Sequence, residues 1–156
     1  MSELKIGDDA PDFTLPTDND GEVTLSQLKG KNVIVYFYPK DNTPGCTTES
    51  CDFRDQQPDF AKLNAEIIGI SKDSVKKHNN FKAKHEFNFP LASDEDSDVC
   101  ERYGVWQEKS MYGKKFFGIV RSTFLIDENG KIAHIWPKVK VKGHVDEVRE
   151  ELEKIA

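Results

Sequence analysis

The strongest pattern in the chain is a continuous apolar and aromatic run at residues 32–38. A run without polar alternation is typical of a strand that is buried on both faces, so we expect a central strand with parallel pairing. A second apolar run, at residues 66–70, predicts another core strand. Residues 120–126 and 131–136 alternate on either side of Asp127-Glu-Asn-Gly130, which is the strongest hairpin signal in the sequence.

Weaker patterns predict the elements around these strands. In chain order they are a hairpin across residues 13–25, a helix from about Thr43 that Pro58 bends or breaks, a helix from Asp73 or Ser74 to about Lys84, a short strand at 89–91, a short helix at 97–103 and a closing helix at 146–155. This order describes an α/β domain with a mixed central sheet and flanking helices. The thioredoxin fold has the same order; here it carries an N-terminal β-hairpin extension and an inserted segment near residues 73–104.

Composition narrows the class of protein without naming a function. The chain has 156 residues, 37% hydrophobic and 32% charged, so residues 1–156 can fold as a single domain without disulfides or metals. A net charge of −6 argues against nucleic acid and anionic membranes as partners. No apolar run approaches the ~18 residues of a membrane span, and Met1–Lys5 lacks the pattern of a secretory signal. We therefore expect a cytoplasmic protein if Met1 is the native start.

The clearest chemistry lies in the segment Pro39-Lys-Asp-Asn-Thr-Pro-Gly-Cys46-Thr-Thr-Glu-Ser-Cys51, where the first core strand gives way to a helix. Thr43 is a good N-cap, and Pro44 then occupies the first helical position, where its missing N–H costs nothing. Cys46 falls at the third helical position, beside unpaired N–H groups and the positive end of the helix dipole. Such a position favours the thiolate, which is the nucleophilic form of cysteine.

Two charged residues bear on that thiolate. Glu49 lies one helical turn beyond Cys46 and opposes a negative charge there, so a cation has to outweigh it. Lys40, Arg54 and a distant arginine are the candidates. Arg121 is the best of them, because it lies in an apolar run where an unpaired cation is expensive. The pattern fits equally well with an arginine on an edge strand that reaches solvent.

The spacing of Cys46 and Cys51 limits how they can react together. On an α-helix, residues five apart have Cα atoms about 8.6 Å from each other, whereas a disulfide needs about 4.4 to 6.8 Å. Either no bond forms, or the first turn of the helix unwinds to form it. The residues alone leave open a cycle of helical reduced and unwound oxidised states, a reactive cysteine beside an idle one, and two buried cysteines.

The remaining thiol and the imidazoles give weaker signals. Cys100 lies on the apolar face of a short helix, where a buried, inert thiol is favoured over a back-up resolving thiol. Three cysteines and four scattered histidines do not have the spacing of a zinc site, and the C-x-x-C of ordinary disulfide exchange is absent. We expect the histidines on the surface or as buried polar groups with satisfied hydrogen bonds.

The sequence resembles the peroxiredoxins, and in particular the bacterioferritin comigratory protein or peroxiredoxin Q branch. The resemblance covers nearly the whole chain, and the P-x-x-x-T-x-x-C element with a second cysteine five residues on is its most specific part. The matching stretches are Gly7–Phe13, Tyr36–Lys40, Thr43–Asp55, Ser93–Asp96, Tyr103–Trp106 and Arg121–Asp127.

This resemblance implies a thioredoxin-like fold and a peroxidase acting on hydrogen peroxide and organic hydroperoxides. Cys46 would be the peroxidatic cysteine and Cys51 the resolving one. Thr43 would bond the peroxide and the sulfur, Pro39 would shield the site, and Arg121 would hold the thiolate and orient the peroxide. The resemblance also implies reduction of the Cys46–Cys51 disulfide by thioredoxin or a similar dithiol protein. It further implies no metal or organic cofactor, and a monomer.

Two other functions remain as alternatives at this point. The first is a general dithiol–disulfide oxidoreductase on the same fold, against which the missing C-x-x-C and the pairing of Thr43 with Arg121 count. The second is a thioredoxin-like binding or holdase module in which Cys46 is structural and unreactive.

Overall fold

A seven-stranded mixed sheet forms the centre of the structure, a computed structural model that describes residues 4–156. The strands are β1 Thr14–Thr17, β2 Gly21–Thr24, β3 Asn32–Phe37, β4 Ala65–Ser71, β5 Leu91–Ser93, β6 Trp106–Met111, β7 Lys114–Ile119, β8 Ser122–Ile126 and β9 Ile132–Trp136. The helices are α1 Pro44–Lys62, α2 Val75–His85, α3 Val99–Arg102 and α4 His144–Ile155. The expected absence of a secretory signal rests partly on residues 1–3, which lie outside the described range.

The order of the central sheet is β2-β1-β5-β4-β3-β8-β9, and β6 and β7 form a separate two-stranded sheet. All six residues of β3 are buried; β3 pairs in parallel with β4 and antiparallel with β8. The prediction of a central strand buried on both faces is therefore confirmed. The α/β class with a mixed sheet, flanking helices and an N-terminal hairpin is confirmed as well, since β1 and β2 pair antiparallel at one edge.

The alternation of side chains along the central strands makes two cores. On one face Ile34, Tyr36 and Tyr38 pack with Cys46 of α1 and with apolar residues of α2 and α4. On the other face Val35 and its neighbours pack with α3, which carries Cys100. The sheet thus separates Cys46 from Cys100.

Pro58 does not break its helix, so the break, one of the two predicted effects, is wrong. α1 is continuous from Pro44 to Lys62. Proline has no N–H to donate to the carbonyl four residues earlier, and here that carbonyl, Arg54 O, accepts a hydrogen bond from Asn88 Nδ2 (3.2 Å) instead.

The third core strand begins later than the predicted 89–91. Pro90 has no N–H for a sheet ladder, and the ladder with β4 starts at Leu91, paired with Gly69. Leu91 N itself donates to the buried carboxylate of Asp18 (2.8 Å). The strand therefore covers Leu91–Ser93.

The sequence reading missed the hairpin of β6 and β7. Most of its side chains are exposed, including Phe116 and Phe117, so no alternation of buried and exposed positions marks it. Its turn is formed by Tyr112 and Gly113, with φ of 52° and 78°. Among residues 4–156, no helix is both long and apolar enough to cross a membrane.

Candidate active site

The site is built on the first turn of α1. Thr43 has the extended backbone of an N-cap (φ −84°, ψ 152°), and Pro44 occupies the first helical position. Thr47 N donates to Thr43 O (2.8 Å), which closes the first turn. Cys46 is the third residue of the helix, as predicted. The Thr43 hydroxyl does not cap the helix; it donates to Lys40 O (2.8 Å).

Cys46 is buried against the guanidinium of Arg121. The cysteine is only 1% exposed, and Arg121 Nη2 donates to its Sγ (3.3 Å). The antiparallel pairing of β3 with β8 brings Arg121, the residue before β8, to the end of β3 where α1 begins. A fixed cation at this distance stabilises a thiolate. Arg121 is therefore the cation expected to offset the charge of Glu49. It lies directly before β8 rather than within a strand, and its side chain contacts Cys46 instead of reaching solvent from the edge of the sheet.

Glu49 shares the same guanidinium. Arg121 Nη1 donates to Glu49 Oε1 (2.7 Å), so one arginine bridges the carboxylate and the thiol. Glu49 is fully buried, and its Oε2 has no hydrogen-bond partner within residues 4–156. Burial raises the pKa of Glu49 to about 7, although Arg121 opposes this shift. The sequence reading treated Glu49 only as an opponent of the thiolate; its role as a ligand of Arg121 depends on a contact between residues 72 positions apart.

Gly45 makes room for this arrangement. A Cβ atom at position 45 would lie 3.2 Å from Arg121 Nη2, closer than a comfortable van der Waals contact. The absence of a side chain thus lets the guanidinium approach the first turn of α1.

Cys51 lies on the same helix and is partly exposed. All three cysteines are free thiols in this structure, and burial raises the pKa of Cys51. Because α1 is unbroken across both positions, the Cα atoms of Cys46 and Cys51 are about 8.6 Å apart, too far for a disulfide. The intervening turn is held to the sheet by a hydrogen bond between Ser50 Oγ and Tyr36 OH (2.8 Å).

The five residues singled out from the sequence thus occupy one region with different degrees of contact. Cys46 and Arg121 touch directly. Pro39 and Thr43 lie in the loop between β3 and α1, and Cys51 lies further along the same helix. Cys100 is on the opposite face of the sheet.

His144 adds a neutral imidazole near Arg121. It is buried, and its Nε2 lies 2.8 Å from Thr123 Oγ1. Burial, with a smaller contribution from Arg121, lowers the pKa of His144 to about 4. The sequence offered no signal for this proximity. Within residues 4–156, no group of three or more His, Cys, Asp or Glu side chains has the arrangement of a metal site.

The chain is similar to known proteins over nearly its whole length. The AhpC/TSA family matches residues 6–135. Peroxiredoxin Bcp of Bacillus subtilis is 51% identical over 149 residues, which cover 96% of this chain and 95% of that protein. The structure of Xylella fastidiosa PrxQ, in a cysteine-to-serine mutant form, superposes with a TM-score of 0.93 at 42% identity, over 99% of this chain and 98% of that one.

A third relative has been characterised with its substrate chemistry. The bacterioferritin comigratory protein of Xanthomonas campestris was studied for alkyl peroxide reduction through trapped intermediate and ligand complexes. That structure has a TM-score of 0.89 and 46% identity, covering 97% of this chain and 96% of its own.

Proposed function

The chain belongs to the AhpC/TSA family and is a thiol-dependent peroxidase of the Bcp/peroxiredoxin Q group with a thioredoxin-like fold, and from this premise we propose that Cys46 is its peroxidatic cysteine and Cys51 its resolving cysteine. The observation that carries the assignment is the single guanidinium of Arg121, which binds Cys46 Sγ and Glu49 at once. We also propose that residues 1–156 act as one domain, because strands from both halves of the chain form one sheet.

In the first step the Cys46 thiolate attacks one oxygen of the peroxide. The S–O bond forms as the O–O bond breaks, which gives a sulfenic acid on Cys46, and the departing oxygen takes a proton to leave as water or an alcohol. Negative charge moves from sulfur onto the oxygens during the attack, and Arg121 can stabilise it at both stages. The Thr43 oxygen keeps lone pairs that can accept the O–H of the peroxide, and Pro39 shields the site.

In the second step the Cys51 sulfur displaces the sulfenic oxygen as water and forms a disulfide with Cys46. The helical separation of about 8.6 Å requires the first turns of α1 to unwind before this can happen. A nearby resolving thiol should intercept the sulfenic acid before it is oxidised further to sulfinic acid.

A dithiol protein such as thioredoxin then reduces the disulfide and restores both thiols. We propose that the chain works as a monomer, because both cysteines belong to one chain, and that it works in the cytoplasm, where such reductants keep thiols reduced. Hydrogen peroxide and alkyl hydroperoxides are the proposed substrates, the latter by analogy with the Xanthomonas campestris protein.

The test is rapid mixing of the reduced protein with hydrogen peroxide, followed by quenching and mass analysis, with Cys46→Ser and Cys51→Ser alongside. We expect the wild type to gain one intramolecular disulfide. Cys51→Ser should stop at a sulfenic acid on Cys46, and Cys46→Ser should not react. If all three proteins reacted at the slow rate of an ordinary free thiol, the assignment of Cys46 would be wrong.

A further inference from the structure

The loop between β3 and α1, residues 39–43, is here called the active-site loop. Asn42 in this loop has a positive φ of 63°, a region that few non-glycine residues occupy and that asparagine enters more readily than most. Within the loop, Thr43 Oγ1 donates to Lys40 O (2.8 Å). The rest of the support comes from outside the loop.

Asp41 ties the active-site loop to the body of the protein through three contacts. Its backbone N donates to Asp73 Oδ2 (2.8 Å). Its carboxylate Oδ1 accepts from Tyr38 OH (2.6 Å), and Oδ2 lies 2.7 Å from His78 Nδ1. The side chain of Asp41 is 2% exposed, whereas the residues on either side of it are exposed. The loop thus turns one carboxylate inward.

The partner of that carboxylate, His78 of α2, is fully buried, and both of its ring nitrogens have partners. Nε2 lies 3.0 Å from Ala92 O, and because a carbonyl oxygen can only accept, Nε2 carries a proton. One more proton must lie between His78 Nδ1 and Asp41 Oδ2. The pair is therefore either imidazolium with carboxylate or imidazole with carboxylic acid, and it has no net charge in either form.

We propose that Tyr38, Asp41 and His78 form a positioning triad that holds the active-site loop, and with it the peroxide-binding groups, over Cys46. This inference rests on the proposed function of Cys46. None of the three residues is required to touch the reacting atoms: Asp41 and His78 act through the loop.

A role in stability alone does not account for the arrangement. A buried ion pair can often be exchanged for apolar residues with little loss of stability. Hydrogen bonds also fix the orientation of the groups that they join. Here two of them converge on the carboxylate of Asp41, directly before the residue with positive φ, Asn42. A displacement of about 1 Å in a positioning group can slow a reaction by about 100-fold, so the direction of this loop matters for the rate.

The test compares Asp41→Ala with Asp41→Asn. Asparagine can keep both side-chain bonds: its Oδ1 accepts from Tyr38, and its Nδ2 donates to Nδ1 of a neutral His78. Alanine removes both. We expect the rate constant for oxidation of Cys46 by hydrogen peroxide to fall about 10- to 100-fold in Asp41→Ala. The conservative variant should stay within about threefold of the wild type, since a neutral hydrogen bond replaces a charged one.

A second readout separates positioning from folding. Alkylation of Cys46 by iodoacetamide needs a thiolate and access, but not the groups that bind peroxide, so both variants should keep alkylation rates within about threefold of the wild type. Tyr38→Phe removes the bond to Asp41 and the longer contact with His78 Nδ1 (3.5 Å) but keeps the ring. It should slow oxidation less than Asp41→Ala does, because the bond between Asp41 and His78 remains. It provides the comparison if the alanine variant does not fold.

Three results would overturn the triad. The first is oxidation at the wild-type rate in a folded Asp41→Ala or, if that variant does not fold, in Tyr38→Phe. The second is an Asp41→Asn variant that is oxidised as slowly as Asp41→Ala. The third is an equal loss of the alkylation rate and the oxidation rate of Cys46. Failure of the proposed function itself would look different, because Cys46 of the wild type would then react with hydrogen peroxide only at the slow rate of an ordinary free thiol.

Discussion

Cys46 and Cys100 occupy similar positions on opposite faces of the same sheet. Each is in the first turn of a helix, α1 or α3, and each is at most 1% exposed. If burial and a helix N-terminus were enough to make a reactive cysteine, both would qualify. Their surroundings differ mainly in the sign of the charged group beside them.

The charged group that contacts Cys46 is a cation, whereas the one that contacts the backbone at Cys100 is a carboxylate, Asp94, which is itself paired with Lys72 (3.3 Å). Arg121 donates to Cys46 Sγ. At the other site the Asp94 carboxylate accepts from Val99 N (3.2 Å) and Cys100 N (2.8 Å), so an anion already occupies the end of α3. Burial, and after it Asp94, raises the pKa of the Cys100 thiol well above its usual range. We infer from this comparison that, for two equally buried cysteines, the charged group beside the helix end separates the proposed nucleophile from the inert thiol.

Removing the cation should have the largest effect. Arg121→Met would leave Cys46 buried at a helix end with no guanidinium to stabilise the charge on sulfur and oxygen. We expect the rate constant for oxidation of Cys46 by hydrogen peroxide to fall by about 100- to 1000-fold. Arg121→Lys keeps the charge and loses the fork that bridges two partners, so it should give an intermediate rate. Rapid mixing with hydrogen peroxide measures both rate constants. A rate constant for Arg121→Met within a few-fold of the wild-type value would show that the charge of Arg121 does not explain the reactivity of Cys46.

Glu49→Gln tests the charges around Cys46 through the pH dependence of the free energy of unfolding. The pKa of Glu49 is about 7 in the folded protein and 4.5 is its ordinary value. Because the folded pKa is raised, the stabilisation by protonated Glu49 is fully present below pH 4.5 and is lost as the pH rises through 7. Relative to the glutamine variant, the wild type should therefore lose about 3 kcal/mol of unfolding free energy between about pH 4.5 and pH 8.

Urea unfolding of both proteins across that pH range measures the difference. His144 has a lowered pKa of about 4, so its stabilisation is present above its ordinary value of 6.5 and is lost as the pH falls through 4. This opposite slope is common to wild type and variant and cancels in the comparison. Parallel curves for the two proteins would show that Glu49 is ionised throughout.

Tyr36→Phe should affect only the resolving step. It removes the hydrogen bond to Ser50, which holds the turn that must unwind before Cys51 can reach Cys46. A hydrogen bond is worth about 1 kcal/mol, so disulfide formation should become about fivefold faster. Time-resolved mass analysis after a pulse of hydrogen peroxide measures the rate of disulfide formation. Tyr103→Phe, which removes a bond to Pro11 O on the Cys100 side of the sheet, is the matched control and should leave the rate unchanged.

The sequence was most informative where one local pattern carried the whole signal. The buried run of β3 and the Thr43-Pro44 start of α1 depend on neighbouring residues, and both were predicted correctly. The hairpin of β6 and β7 was missed because its apolar side chains are exposed, which leaves no buried face to mark a strand.

The parts of the site that depend on tertiary contacts were harder to obtain. The contact of Arg121 with Cys46 requires the pairing of β3 with β8. The position of His78 beneath the active-site loop requires α2 to pack beside β5, and the sequence reading offered only a surface histidine or a buried one with satisfied bonds; the second of these is correct. Residues that meet across the sheet leave no spacing signal in a single chain.

Cys100→Ala should have the smallest effect on catalysis. The Cys100 thiol lies on the far side of the sheet from Cys46, so removing it should not change either the rate of peroxide oxidation or the yield of disulfide. Loss of a buried sulfur should cost about 1 kcal/mol of stability. Iodoacetamide should label Cys46 in the native wild type, but Cys100 only after unfolding, because burial and Asp94 hold its thiol protonated.

Peptide mapping of the oxidised and alkylated wild type is the matching measurement. A Cys46–Cys100 disulfide, or slower turnover in Cys100→Ala, would mean that the two faces of the sheet communicate and that Asp94 does not keep Cys100 inert. Native labelling of Cys100 at the rate of Cys46 would go further. It would show that the charge beside the helix end is not what separates the two cysteines, and the contrast between Arg121 and Asp94 would lose its explanatory value.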